Sequence, residues 1–85
     1  MKIVVNRTYG GFRLPEAFCR KYGIESPYAD IDRNDERLID WLERNHSNRP
    51  LEVVEIPNNI TDWTINEYDG AEQIIYVQGG LLFWA

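Results

Sequence analysis

The sequence predicts an α+β fold in which a small, mostly antiparallel sheet carries two helices packed on one face. Short Ile- and Val-rich runs that end at glycine or proline are typical of strands. Two other segments repeat apolar residues at helical spacing. The dipeptides Asp69-Gly70 and Gly79-Gly80 predict tight turns between apolar runs, and such turns join antiparallel neighbours.

Two strands are predicted at residues 2–7 and 51–56. In the first, alternation places Ile3 and Val5 on one face and Val4 on the other. The second strand likewise carries apolar side chains on both of its faces. Strands with two apolar faces are typical of the covered centre of a sheet, so both are expected to lie inside the molecule.

The first helix is predicted at residues 15–22. Pro15 supplies the φ angle of a first helical turn, where its missing N–H costs nothing. Gly23 suits the left-handed position that follows a helix, and Ile24 can then contact Cys19. One apolar stripe results, formed by Leu14, Ala17, Phe18 and Tyr22.

The second helix is predicted to begin at Asn34 or Asp35, because either side chain can accept a hydrogen bond from the first turn. Arg44 and His46 fall in its last turn, where basic side chains favour the helix dipole. Asp40 and Arg44 form an i,i+4 pair on the exposed side. The predicted buried stripe consists of Leu38, Trp41 and Leu42, with Ile39 beside it.

Two further strands are predicted in the last third of the chain, at residues 63–68 and 73–78, and residues 81–85 follow the second predicted turn. The two strands form a hairpin, and residues 2–7 and 51–56 complete the sheet. Residues 81–85 are apolar throughout, which would be an aggregation risk on an open sheet edge. We therefore expect them to be buried, either within the subunit or, as we favour, between the subunits of a homo-oligomer.

Length and charge restrict the classes of function. Eighty-five residues predict a single domain, residues 1–85, and no apolar run is long enough to cross a membrane. The net charge is −5 and the basic residues are dispersed, so we expect neither nucleic acid nor a membrane as a partner. A single cysteine without a secretory leader predicts a cytoplasmic protein. No cofactor is predicted.

The first candidate binding site lies where residues 2–7 leave the strand. Arg7 could pair with a phosphate or carboxylate, and adjacent glycines let backbone N–H groups approach a ligand. The alternative is a structural turn in which Arg7 pairs with a surface carboxylate, and the sequence alone favours it. If the predicted hairpin lies beside the first strand, Arg7 could meet Asp69 or Glu72. The predicted ligand- or partner-binding residues are Asn6, Arg7, Tyr9, Gly10, Gly11, Asp69 and Glu72.

Other chemically capable residues have less specific patterns. Asp30 and Asp32 would point the same way in an extended segment and are a candidate pair for a divalent metal. The EF-hand pattern is absent and Arg33 supplies a local counter-charge, so no metal site is predicted. Cys19 and His46 could form a dyad but lack a supporting motif. No catalytic residue is therefore predicted, and enzyme activity has no positive support.

The opening IVVNRTYGGFRL at residues 3–14 resembles that of a group of small uncharacterised bacteriophage and prophage proteins. Those proteins begin with a Val-Asn-x-x-Tyr-Gly-Gly-Phe-x-Leu pattern. Residues 30–33, 51–57 and 65–72 are similar to later parts of the group, in the same order. Pro15 departs from the serine that the group carries there, and the apolar tail departs from its basic ending.

The resemblance implies an accessory phage protein that acts in the cytoplasm of the host cell. Such proteins include inhibitors of host defence that bind a host protein, and others that sequester a nucleotide signal. Our leading hypothesis is a non-enzymatic binding protein whose partner is a host protein or a small anionic ligand. Two alternatives stay open: a small metal-dependent nucleotide-processing enzyme that uses Asp30 and Asp32, and a purely structural, oligomerising protein.

Overall fold

The computed structural model describes residues 1–45 and 50–85, which form an α+β fold as the sequence predicts. The predicted position of His46 in the last turn of the second helix lies outside the described residues. Each predicted helix and strand is present at nearly its predicted bounds, and residues 81–84 form a further strand. In chain order the elements are β1 (Lys2–Asn6), α1 (Glu16–Tyr22), α2 (Glu36–Arg44), β2 (Leu51–Glu55), β3 (Asp62–Tyr68), β4 (Ala71–Gln78) and β5 (Leu81–Trp84).

The strands form two antiparallel sheets. β1 pairs with β2 in one sheet, and β3, β4 and β5 form the other in that order. Val4 lies opposite Val53 in the first sheet, and Ile65 lies opposite Ile74 in the second. The antiparallel pairing and the α+β class are confirmed. The expectation that all strands join one continuous sheet is corrected, since β1 and β4 belong to different sheets.

The strands form two sheets instead of one because groups outside any strand of its own sheet already hydrogen-bond to the second edge of β1. Along this edge the N–H of Val4 donates to the carbonyl of Arg33 at 2.7 Å. The N–H of Asn6 donates to the carboxylate of Glu72 at 2.8 Å. A neighbouring strand would need these same main-chain groups. β4 therefore packs against a face of β1, and it contacts the edge of β1 through the side chain of Glu72.

The sheet of β1 and β2 separates two apolar cores. Val4 faces the helices, whereas Ile3 and Val5 face Ile74 of β4, and all four side chains are completely buried. The prediction that both faces of the first strand are covered is confirmed. The helix-side core comprises Val4, Leu14, Phe18, Cys19, Leu38, Trp41, Leu42 and Leu51, and the sheet-side core comprises Ile3, Val5, Ile56 and Ile74.

The short helix α1 ends in the predicted left-handed turn. Gly23 has a φ of 66°, and the N–H groups of Gly23 and Ile24 both donate to the carbonyl of Cys19. Pro15 precedes the helix instead of forming its first residue, and it provides no side-chain cap. None of the described helices is long and apolar enough to cross a membrane.

Asp35, one of the two residues predicted to cap the second helix, is the N-cap of α2. The Asp35 carboxylate accepts the N–H of Arg37 at 2.9 Å. The guanidinium of Arg37 folds back onto the same carboxylate, at 3.0 and 3.2 Å, and this side-chain hydrogen bond lowers the pKa of Asp35 below its ordinary value. The predicted pair of Asp40 and Arg44 is present at 3.1 Å.

The strand β5 lies at a sheet edge and leaves its side chains largely in solvent. The exposed fractions are 64% for Leu81, 67% for Leu82, 38% for Phe83 and 58% for Trp84. Among the described residues β5 pairs with β4 alone, and its four side chains lie beyond the core that the two sheets share. The expectation of burial within the subunit is therefore wrong for Leu81–Trp84, whereas Ala85 is half-buried against the sheet-side core. Their burial between subunits stays a prediction.

Asp35→Ala should lower the free energy of unfolding by about 1 kcal/mol at pH 7, because the first turn of α2 loses its cap. Because folding lowers the pKa of Asp35, its ionised carboxylate contributes fully to the free energy of unfolding above the ordinary aspartate pKa. This contribution is lost as the pH falls through the lowered pKa. Urea denaturation at pH 7 and pH 3 measures both effects. Asp35→Asn, which keeps a capping oxygen but cannot titrate, should remove this part of the pH dependence; an unchanged pH dependence would contradict the assignment.

Candidate functional site

An ion pair between a buried carboxylate and a half-buried guanidinium closes the second edge of β1. Glu72 of β4 is only 5% exposed, and its two carboxylate oxygens accept hydrogen bonds from the two terminal nitrogens of Arg33 at 2.6 and 2.8 Å. Two-point contacts between a guanidinium and a carboxylate are among the stronger hydrogen-bonded pairs in proteins. The same carboxylate accepts the N–H of Asn6. We call Asn6, Arg33 and Glu72 the edge clasp.

Arg33 is fixed by β1 and by an aromatic ring in addition to Glu72. Its guanidinium donates to the carbonyl of Val4 at 3.3 Å and lies 3.6 Å from the centroid of the Phe12 ring. The carbonyl of Arg33 accepts the N–H of Val4. One residue therefore takes both main-chain groups of Val4 that a third strand would have used.

The side chain of Asn6 joins the loop after β1 to the turn between β3 and β4. Its amide nitrogen donates to the carbonyls of Gly70 at 2.6 Å and Thr8 at 2.8 Å. The N–H of Gly10 donates to the carbonyl of Asp69 at 3.2 Å. The structure thus brings most of the predicted binding residues together, and hydrogen bonds among them hold the loop and the turn side by side.

Arg7 contributes to the same junction from the end of β1. Its Nε donates to the carboxylate of Glu52 at 3.0 Å, and a terminal nitrogen donates to the main-chain carbonyl of Glu72 at 2.9 Å. The expected meeting of Arg7 with Glu72 therefore occurs through a carbonyl, while Arg33 takes the carboxylate. Sequence reasoning missed this role of Arg33 because its partner lies 39 residues further along the chain.

Gly70 is required by the close approach of the same two segments. Asp69 and Gly70 have φ angles of 52° and 88°, which confirms the predicted tight turn. A Cβ atom on Gly70 would lie 2.7 Å from the nitrogen of Gly10, and it would also collide with the nitrogen of Gly11. The turn therefore needs glycine for space as well as for its backbone conformation.

Tyr9 lies outside the edge clasp, beside a groove of about 550 Å³. Tyr28 and Arg13 line the same groove; both tyrosines are exposed, and the Arg13 guanidinium lies 6.0 Å from the centroid of the Tyr28 ring. Arg13 also pairs with Glu16 at 3.1 Å. We call Tyr9, Arg13, Glu16 and Tyr28 the tyrosine groove, whose volume lies in the range of small-molecule sites.

The other candidates from the sequence occupy separate positions. Asp30 and Asp32 are both exposed. Among residues 1–45 and 50–85, no group of three or more potential metal ligands lies together. Cys19 is buried in the helix-side core, with its sulfur 3.9 Å from the carbonyl oxygen of Ser26. His46, with which Cys19 could have formed a dyad, lies outside the described residues.

Apolar side chains occupy both faces of β5. Leu82 and Trp84 lie on the outer face of the sheet, opposite Val77 and Ile75 of β4, which are half-buried. Leu81 and Phe83 project to the other face, where Phe83 stacks on Tyr76 with ring centroids 5.4 Å apart. We call the four side chains of β5 and its free edge the β5 surface.

The free edge of β5 has main-chain groups available for pairing. Ala85 and Ile74 exchange hydrogen bonds at 2.8 and 2.9 Å, so alternation directs the N–H and C=O groups of Leu82 and Trp84 away from β4. β5 contains neither a charged side chain nor a proline, the residues that natural edge strands use against unwanted pairing. The opposite edge strand, β3, carries Asp62 and Glu67.

Comparisons with known proteins identify no relative of this chain. No protein-family model matches it, and searches of curated proteins and of solved structures find no match. The resemblance to the phage group stays a prediction. Function is therefore inferred from the geometry of the edge clasp, the tyrosine groove and the β5 surface.

Glu72→Gln should lower the free energy of unfolding by about 2–3 kcal/mol, because it leaves the half-buried charge of Arg33 without its partner. Glu67→Gln is the matched control, since Glu67 is exposed and lies directly opposite Glu72 in the strand register. The control should change stability by less than about 0.5 kcal/mol. Urea denaturation of both variants provides the comparison, and equal effects would show that the edge clasp is not a major source of stability.

Gly70→Ala should destabilise the protein by about 3 kcal/mol or more, because the new methyl group pushes the loop after β1 away from the turn. Gly80→Ala separates this steric effect from backbone strain. Gly80 has a similar φ of 78°, but nothing lies within 4 Å of a Cβ built there. That control should cost only about 1–2 kcal/mol. Thermal melting of the two variants measures the difference, and a similar loss in both would exclude the close approach as the cause.

Proposed function

We propose that this protein is a non-enzymatic binding protein that docks an extended segment of another protein along β5. The observation that carries the proposal is an uncharged edge strand whose four side chains are all exposed and apolar. Strand addition uses both properties: free main-chain groups supply hydrogen bonds, and alternate side chains supply contacts on each face. The partner is a host protein if the resemblance to the phage group holds.

β5 is held rigidly by its neighbouring strand, as a docking strand needs to be. β5 is bonded to β4 along its whole length, and β4 is anchored to β1 by Glu72 and by the completely buried Ile74. A strand held in this way is already in the conformation that pairing requires. The ordering cost that binding would otherwise incur is therefore reduced on this side of the interface.

A small anionic ligand is less well supported than a protein partner. Most of the residues predicted to contact such a ligand bond to one another, and Arg7 bonds to Glu52 and to the main chain of Glu72. In the tyrosine groove the charge of Arg13 is balanced by Glu16. The groove therefore offers aromatic surface but no net positive charge for an anion.

Leu82→Lys should reduce protein capture by about tenfold or more, because it places a charge in the apolar contact. The experiment exposes the immobilised chain to a bacterial cell extract and quantifies each retained protein by mass spectrometry. Thr64→Lys is the matched control, since Thr64 is exposed on the same outer face but belongs to β3. The control should retain the same proteins as the unmodified chain.

Two results would contradict the proposal. Equal retention by the unmodified chain and by Leu82→Lys would locate binding away from β5. An equal loss with Thr64→Lys would attribute the effect to added positive charge instead of to the strand. Circular dichroism melting of both variants verifies that neither substitution has unfolded the protein.

A further inference from the structure

We propose that a second copy of this chain occupies β5 when no other protein does, through antiparallel β5–β5 pairing about a two-fold axis. The inference rests on the proposed function, because it uses β5 as a protein-docking strand and names one occupant. The pairing joins two three-stranded sheets, each in the order β3-β4-β5, into one continuous sheet. Both copies then keep their helices on the same side of that sheet.

The main-chain groups of β5 select one symmetric register. Leu82 and Trp84 direct their N–H and C=O groups outward, and Phe83 lies between them. With the two-fold axis at Phe83, Leu82 of one copy faces Trp84 of the other, and the two residues exchange N–H···O bonds. The symmetry creates this pair twice, so every outward group of the two residues finds a partner. An axis at Leu82 would instead place Trp84 opposite the turn at Gly80.

The same register matches the side chains on each face. Phe83 meets Phe83 of the second copy as a non-hydrogen-bonded pair, the arrangement in which opposite side chains approach most closely. Leu82 meets Trp84 of the other copy on the outer face. Aromatic and aliphatic cross-strand pairs of this kind stabilise antiparallel sheets. The strand is therefore complementary to itself in hydrogen bonding and in side-chain type.

Charge favours contact between copies at β5 over contact at the other edge of the sheet. The chain has a net charge of −5, so two copies repel one another. β5 has no charged side chain, whereas β3 carries Asp62 and Glu67, so self-pairing through β3 would place four carboxylates on the two paired strands. Pairing through β5 joins two acidic chains without any carboxylate on the paired strands.

The available area predicts a weak dimer. From the exposed fractions of its side chains, β5 offers roughly 400 Å² of apolar surface per copy. Two copies then bury at most about 800 Å² in total, which is below the roughly 1,200–2,000 Å² of stable specific interfaces and in the range of weak, reversible contacts. A reversible dimer covers β5 while leaving it accessible to a competing strand of another protein.

Disulfide cross-linking of Phe83→Cys tests the register directly. In the proposed dimer the two introduced side chains lie opposite each other, with Cβ atoms about 5 Å apart. Leu81→Cys is the matched control on the same strand and face, and its two copies lie about 13 Å apart along the paired strands. The native Cys19 is buried, so the background should be low. Under diamide oxidation, Phe83→Cys should give a covalent dimer on a non-reducing gel and Leu81→Cys should not.

Sedimentation equilibrium of the unmodified chain tests the dimer without changing β5. The average mass should rise from one copy toward two with concentration, and Leu82→Lys should weaken the association by about tenfold or more. A single-copy mass at every concentration, masses beyond two copies, or equal cross-linking at both cysteine positions would overturn the inference. If the chain is monomeric yet Leu82→Lys still abolishes capture of host proteins, the proposed function stands and only the second copy is excluded.

Discussion

The contact between Glu72 and Arg33 takes the place of a neighbouring strand along the second edge of β1. In the described part of the chain β1 pairs with β2 along one edge, and its other edge would leave buried main-chain groups without partners. The carboxylate of Glu72 and the carbonyl and guanidinium of Arg33 satisfy these groups. The ion pair in turn avoids the cost of burying isolated charges, since each member is the partner of the other.

This solution makes a layered molecule possible in 85 residues. Because β1 needs no further strand, β4 is free to pack on its face, and two thin cores form on either side of one small sheet. The residues at the end of β1 that look like a ligand site are the ones that maintain this arrangement. Asn6 and Gly70 hold the loop against the turn, and the close approach of backbone there requires glycine.

Function is assigned to β5 because its edge differs from the edges at β1 and β3. The second edge of β1 is closed by side chains, and the edge at β3 carries acidic residues, whereas β5 presents free main-chain groups among apolar side chains. Water hydrates those main-chain groups in the isolated subunit, but burial of the side chains favours a partner that pairs with the strand. The edge clasp supports this strand indirectly, by fixing β4 against β1.

Periodicity and turn residues act over a few neighbouring positions, so the sequence alone predicts both helices, the strands β1 to β4, the turn at Asp69 and the burial of both faces of β1. It also predicts Asn6 and Glu72 as site residues and indicates that the apolar residues 81–85 need to be covered. The division of the strands into two sheets and the pairing of Arg33, rather than Arg7, with the Glu72 carboxylate appear only in the tertiary structure. Both features depend on contacts between residues tens of positions apart. Local sequence patterns do not predict which distant group accepts or donates a given hydrogen bond.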